Sequence, residues 1–119
     1  MDKAVVSLYT MLRTPRQRRI ICKDCPVAKA ADLVGDSCSL LIVRDLISNP
    51  RRFGELQDSL HGISSRTLTK KLQLLEENGL IARKEFRGKP PVVRYSITAK
   101  GKGLTGVIEA MRSYGIAHL

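Results

Sequence analysis

Apolar residues recur every three or four positions through most of the chain and every second position in one short stretch, a pattern of helices interrupted by a β-hairpin. Asp2 is placed to cap a first helix through about Leu12, with Val5, Leu8, Tyr9 and Leu12 on one stripe, and Pro15 ends it. Cys25-Pro26 opens a second helix, with proline at the first helical position, where a missing amide costs nothing. Val27, Ala30, Ala31 and Val34 form its expected inward face, and Gly35 closes it. Residues 37–48 hold Leu40, Leu41, Ile42, Val43, Leu46 and Ile47, apolar enough to predict a central helix. Asn49-Pro50 stops that helix.

The stretch from Phe53 to Gly79 organises the rest. Phe53, Leu56 and Leu60 share one side of a short helix, His61-Gly62 breaks the period, and Ile63 fills the corner. Ser64 is an N-cap candidate for a longer helix in which Leu68, Leu72 and Leu75 project within about 60° of one another. Arg66, Lys70 and Gln73 point away from that leucine face. Helix, corner and helix make a helix-turn-helix, and the polar side is either a surface that reads base edges in a major groove or an ordinary solvated face.

Beyond Gly79 the period becomes two. Leu80–Phe86 and Val92–Thr98 are expected strands, the second with Val93, Tyr95 and Ile97 on one side. Arg87-Gly88-Lys89-Pro90-Pro91 joins them as a basic loop. Thr98 is placed to cap a last helix striped by Leu104, Val107, Ile108 and Met111. The expected fold is a single winged helix-turn-helix domain over 1–119: N-terminal helix and basic arm in 1–24, core in 25–98 with the helix-turn-helix at 53–79 and the wing at 80–98, and a dimerisation helix in 99–119. Apolar terminal helices left over in so small a domain predict two-fold pairing.

Charge sharpens this picture. Lys and Arg outnumber Asp and Glu by 21 to 11, giving a net charge of +10. The excess is concentrated before residue 30 and between residues 51 and 94, on and around the helix-turn-helix, as a polyanion-binding surface requires. The arginines at 13, 16, 18 and 19 are read as a solvated linker. Expected base contacts are Arg66, Lys70 and Gln73. Expected backbone contacts are Arg52, Ser64, Ser65, Thr67, Thr69, Lys71, Arg87, Lys89 and Arg94, all cationic or hydroxyl-bearing. Absence of Trp, with two Phe and three Tyr, argues against stacking platforms for single strands. No long uncharged apolar run points to a membrane. Neither a nucleophile-base set nor a phosphate-cradling glycine loop is present, so no enzyme activity is expected.

Three cysteines, at 22, 25 and 38, do not make a secreted disulfide framework and fit a cytoplasmic protein. With His61 they fall short of a convincing zinc set, and no metal or cofactor is expected. Backbone amides at a helix start favour an anionic sulfur, making Cys25 a candidate for reaction with oxidants or electrophiles. Cys22-x-x-Cys25 has redox-pair spacing; closure of that pair, a bridge from Cys25 to a partner subunit, and plain structural thiols all fit. Cys38, on the apolar helix, is read as a small core residue.

Read in order, Cys25-Pro26-Val27, Asp32-Leu33-Val34-Gly35, Leu40-Leu41-Ile42-Val43-Arg44-Asp45-Leu46, Arg52-Phe53-x-Glu55-Leu56 and Gly62-Ile63-Ser64-x-x-x-Leu68-Thr69-x-x-Leu72 resemble the HxlR-type transcriptional regulators. Leu75-Glu76-x-x-Gly79-Leu80, Pro90-Pro91, Tyr95-x-Ile97-Thr98 and Gly101 continue the match, which covers Cys25 to about Met111. The resemblance implies a homodimer that binds double-stranded DNA, paired through its terminal helices: Val5, Leu8 and Leu12 with Leu104, Val107, Ile108 and Met111. It also implies that Cys25 occupies the position several members use as a thiol sensor. Cys38 stands where the family usually has Trp, and the segment before Cys25 adds Cys22 and a basic stretch. A winged-helix module that binds structured RNA or a protein without thiol sensing is the alternative. The sequence names no small-molecule effector.

Overall fold

The structure, a computed structural model, describes residues 25–119. The expected helix over 2–12, the basic stretch after it, Cys22, and the pairing residues Val5, Leu8 and Leu12 lie outside the described residues. Two compact units divide the chain, one ending at Gly35 and one running from Asp36 to Leu119. In the first, helix α1 (Pro26–Val34) starts with proline in its first turn, as its sequence dictates. Of its expected inward face only Val34 is buried; Val27 is 77% exposed and Ala30 and Ala31 are exposed too. Periodicity identifies an apolar stripe but not what covers it, and in the single described chain most of this one is uncovered.

The second unit is built from α2 (Ser37–Ser48), α3 (Phe53–Ser59), α4 (Ser65–Glu77), strands β1 (Ile81–Phe86) and β2 (Val92–Ile97), α5 (Ala99–Lys102) and α6 (Thr105–His118). It is mainly helical with a two-stranded antiparallel hairpin, the winged helix-turn-helix arrangement. Its core takes Ile42, Val43 and Leu46 from α2, Leu56 and Leu60 from the α3 region, Leu68, Leu72 and Leu75 from α4, and Leu80 and Ile81 at the entry to the wing. As its richness in apolar residues predicts, α2 is the central element, touching α4, β2, α5 and α6. Cys38, in its first turn, is half-buried.

Between α3 and α4 the corner turns at Gly62, whose φ of +83° lies in the left-handed region that a side chain disfavours. The amide of Ile63 donates to the Leu60 carbonyl across it at 3.0 Å. In the hairpin Ile81 pairs with Ile97 and Phe86 with Val92. Arg51 adds an isolated antiparallel bridge to Tyr95, its amide and carbonyl bonding Tyr95 at 2.9 and 2.8 Å. This bridge joins the segment ahead of the helix-turn-helix to the second wing strand.

The last helix is not continuous. Thr98 caps α5, its hydroxyl accepting from the Gly101 amide at 3.1 Å, but α5 ends at Lys102 and α6 begins afresh at Thr105. Glycine at 101, 103 and 106 weakens helical propensity through this junction. The Thr98 hydroxyl also lies 2.6 and 2.9 Å from the carbonyls of Gly79 and Leu80, tying the exit of α4 to the end of the hairpin. Thr98→Val keeps the shape and removes both functions, so it should cost about 1–2 kcal/mol in urea denaturation. An unchanged midpoint would mean that water replaces the hydroxyl without loss.

Candidate nucleic-acid interface

Helix α4 starts where its sequence says it should. Ser64 takes the extended N-cap conformation, its hydroxyl accepts from the Thr67 amide at 3.1 Å and donates to the Thr67 hydroxyl at 2.9 Å. Leu68, Leu72 and Leu75 are at most 2% exposed, which fixes the rotation of the helix about its axis. That rotation turns Arg66, Lys70 and Gln73 to solvent. Among the described residues none of the three makes a hydrogen bond or ion pair, and with Ser65 and Thr69 they line a shallow depression of about 340 Å³. The side chains expected to read base edges are therefore together and outward.

The flanking candidates separate. Ser65 is held by Gln57, whose amide nitrogen donates to the Ser65 hydroxyl at 3.0 Å and lies 3.5 Å from the Ile63 carbonyl. Gln57 braces the corner from α3, a role with no local signal in the sequence, since its partners lie six and eight residues away. Thr69 is exposed. The Arg52 amide donates to the Glu55 carboxylate at 3.0 Å, one half of a capping box, while the guanidinium side of Arg52 stays exposed. Lys71 is different: half-buried, with its Nζ 2.8 Å from Oδ2 of Asp36.

On the wing, Arg87 and Lys89 sit exposed in the loop between the strands. Arg94 is exposed on β2, its guanidinium carbon 5.7 Å from the Phe86 ring centroid. Register places Lys84 directly opposite Arg94, a residue the sequence reading missed. Like charges facing each other across two strands repel, and a polyanion relieves that repulsion. Only a strand register, which alternation alone does not supply, reveals the pair.

Asp36 caps α2 by accepting from the Ser39 amide at 2.6 Å and the Ser39 hydroxyl at 3.1 Å. Partial burial by itself pushes its carboxyl pKa up, but the hydrogen bonds from Lys71 and Ser39 and the Lys71 charge outweigh burial and hold it below the ordinary carboxylate value. Cys25 is the exposed N-cap residue of α1, with no side-chain capping bond. On α6, Val107 and Met111 are exposed, whereas Leu104 and Ile108 are half-buried, Ile108 sharing a groove with Leu40 and Leu41 of α2. Tyr114, Ile116 and Leu119 extend the exposed apolar surface further than the sequence stripe indicated. Val107, Met111, Tyr114 and Leu119 line one open concavity floored by Gly106, Ala110 and Gly115. Among the described residues no helix is long and apolar enough to cross a membrane.

Comparison with known proteins matches this architecture. The model of the HxlR-like helix-turn-helix family fits residues 33–119. An HTH-type transcriptional regulator of Synechocystis, sll1512, is 41% identical over 91 residues, covering 76% of this chain and 67% of its own length. YdeP of Bacillus subtilis, also described as an HTH-type transcriptional regulator, is 35% identical over 93 residues, 78% of this chain and 73% of its own. Among solved structures, the oxidised form of the redox regulator HypR superposes with a TM-score of 0.76 at 29% identity, covering 80% of this chain and 98% of its own. The reduced form of the transcriptional regulator YodB from B. subtilis superposes with a TM-score of 0.67 at 32% identity, covering 76% and 89%.

Proposed function

Because the chain belongs to the HxlR-like helix-turn-helix family and is a transcriptional regulator of the winged-helix type, we propose that it acts in the cytoplasm as a homodimer that reads duplex DNA with helix α4. The observation that carries this is the outward set Arg66, Lys70 and Gln73, unpaired among the described residues, on a helix whose rotation is fixed by three buried leucines. Arginine, lysine and glutamine supply the donors that base edges accept in a major groove. Ser64, Ser65, Thr67 and Thr69 beside the helix N-terminus, with Arg52 ahead of it and Lys84, Arg87, Lys89 and Arg94 on the wing, supply phosphate contacts. The exposed apolar face of α6, which includes Val107 and Met111, supports pairing of two copies. Two-fold pairing would set the recognition helices about 34 Å apart on one side of a duplex.

Mobility shifts with random-sequence duplex DNA and with structured RNA of equal length separate this function from that of an RNA-binding module. Preference for the RNA would overturn it. Lys89→Ala is expected to weaken every duplex alike and to flatten the dependence of log affinity on log salt by about 0.9 for each phosphate contact removed. A loss confined to one sequence would instead make Lys89 a reader of bases.

Thiol control is part of the same proposal. Cys25 is exposed at a helix start, and HypR and YodB, whose forms are described as reduced, oxidised or diamide-treated, share the fold. Treating the protein with diamide should change its affinity for a selected DNA site severalfold, and Cys25→Ser should abolish the change. An equal response in that variant would take Cys25 out of the switch.

A further inference from the structure

Two consecutive lysines on α4 have opposite fates. Lys70 is exposed and, among the described residues, unpaired, whereas Lys71 is drawn back to Asp36 at 2.8 Å across a sequence separation of 35. Resting on the DNA-reading function above, we propose that Asp36 withholds Lys71 from the phosphate backbone, so that Lys71 positions the recognition helix and the sequence-independent share of binding is kept low.

Geometry favours the pairing over a chance surface contact. Asp36 is anchored independently of Lys71, because its two oxygens accept from the amide and hydroxyl of Ser39 as the cap of α2. The carboxylate is therefore presented at a fixed point, and only the lysine has conformational freedom to lose. Lys71 keeps 29% side-chain exposure and Asp36 44%, so the pair is partly shielded and the bond is charge-assisted at a short distance. It links the start of α2, the central helix, to the middle of α4, and so adds a second restraint on the rotation that the buried leucines set. The Asp36 carboxyl, held below its ordinary pKa, stays ionised throughout the neutral range.

The location gives the pair its consequence. Lys71 lies one helical turn beyond Thr67, on the flank where Ser64 and Thr67 face the expected phosphates. An uncommitted ammonium there would join the backbone contacts. Each such contact makes binding fall about 3.5-fold further over a fourfold rise in salt and attracts any sequence equally. Asp36 replaces that contact with an internal one and leaves a negative charge beside it.

The test is salt-dependent binding to random-sequence duplex and to a site selected from a random library by the parent protein, between about 50 and 200 mM salt. Asp36→Asn keeps the cap, since asparagine caps as well as aspartate, and removes the charge. It should tighten binding to random duplex severalfold at low salt and steepen the log-log slope by about 0.9 per lysine released. Lys71→Met should leave the slope of the parent in place while lowering the preference for the selected site, and the double variant should lose the steepening. A flattened slope in Lys71→Met together with an unchanged slope in Asp36→Asn would make Lys71 an ordinary phosphate contact and overturn the proposal alone. If the parent binds no duplex at all, the DNA-reading function fails and this inference with it. Should Lys71→Met not fold, the slope of Asp36→Asn still decides.

Discussion

Gly101→Ala should destabilise the protein by about 2–3 kcal/mol, although alanine is the better helix former by about 1 kcal/mol and local propensity alone predicts the opposite sign. Gly101 lies in α5, is buried, and packs so closely that a Cβ built on it falls within 3 Å of the Leu80 carbonyl oxygen and of two carbons of Ile97. One of those neighbours is backbone and cannot rotate away. The Leu80 carbonyl already accepts from the Thr98 amide at 3.1 Å and lies 2.9 Å from the Thr98 hydroxyl, so displacing it disturbs the junction of α4, wing and α5 together. Ile97 is paired with Ile81 at the base of the hairpin, which carries the disturbance into the strand pair. Against a total stability of 5–15 kcal/mol for a typical domain, this is a large fraction. Urea denaturation of the full chain measures it; a midpoint equal to or above the parent's would show that the junction yields at little cost.

The same junction marks where local sequence stops being informative. The helix-turn-helix was legible because every signal agreed: leucines at spacings of four and three, a serine cap that bonds as caps do, and a glycine at the one corner position with positive φ. The wing followed from alternation and from two prolines that no ladder accepts. The break between α5 and α6 was not legible, since the stripe from Leu104 to Met111 continues the helical period across it. Glycine at 101 and 103 weakens the helix there, and Gly101 packs closely against residues 80 and 97, a tertiary contact that periodicity does not display. Non-local pairings were invisible for the same reason: Arg51 with Tyr95, Gln57 with Ser65, Lys84 with Arg94, and Lys71 with Asp36. Among the site residues, Arg66, Lys70, Arg87, Lys89 and Arg94 are exposed, but residue type alone does not separate Lys70 from the half-buried Lys71. On α6, the stripe identified apolar positions without dividing those that face α2, such as Ile108, from those left open, such as Val107.

Arg66→Ala should lower affinity for a selected DNA site by a factor between about 30 and more than 10⁴ while barely changing the fold. Each bidentate arginine contact to a guanine contributes about 1–3 kcal/mol of discrimination, and the two-fold assembly proposed above would present the residue twice, so one substitution is expected to remove about 2–6 kcal/mol. Arg66 is exposed in the first turn of α4 and, among the described residues, has no intramolecular partner, so its loss leaves no buried group unsatisfied. Alanine at an exposed helical position has the best intrinsic propensity, and the thermal midpoint should stay within a degree or two of the parent's. Binding to random-sequence duplex should fall far less, because there the guanidinium acts only as one positive charge among many. The comparison with Lys89→Ala is the decisive one: the wing variant should lose affinity equally on both duplexes, the helix variant unequally. Equal fractional losses from Arg66→Ala on the selected and the random duplex would assign Arg66 to the phosphates, and base reading would then fall to Lys70 and Gln73, which the same pair of measurements tests in turn.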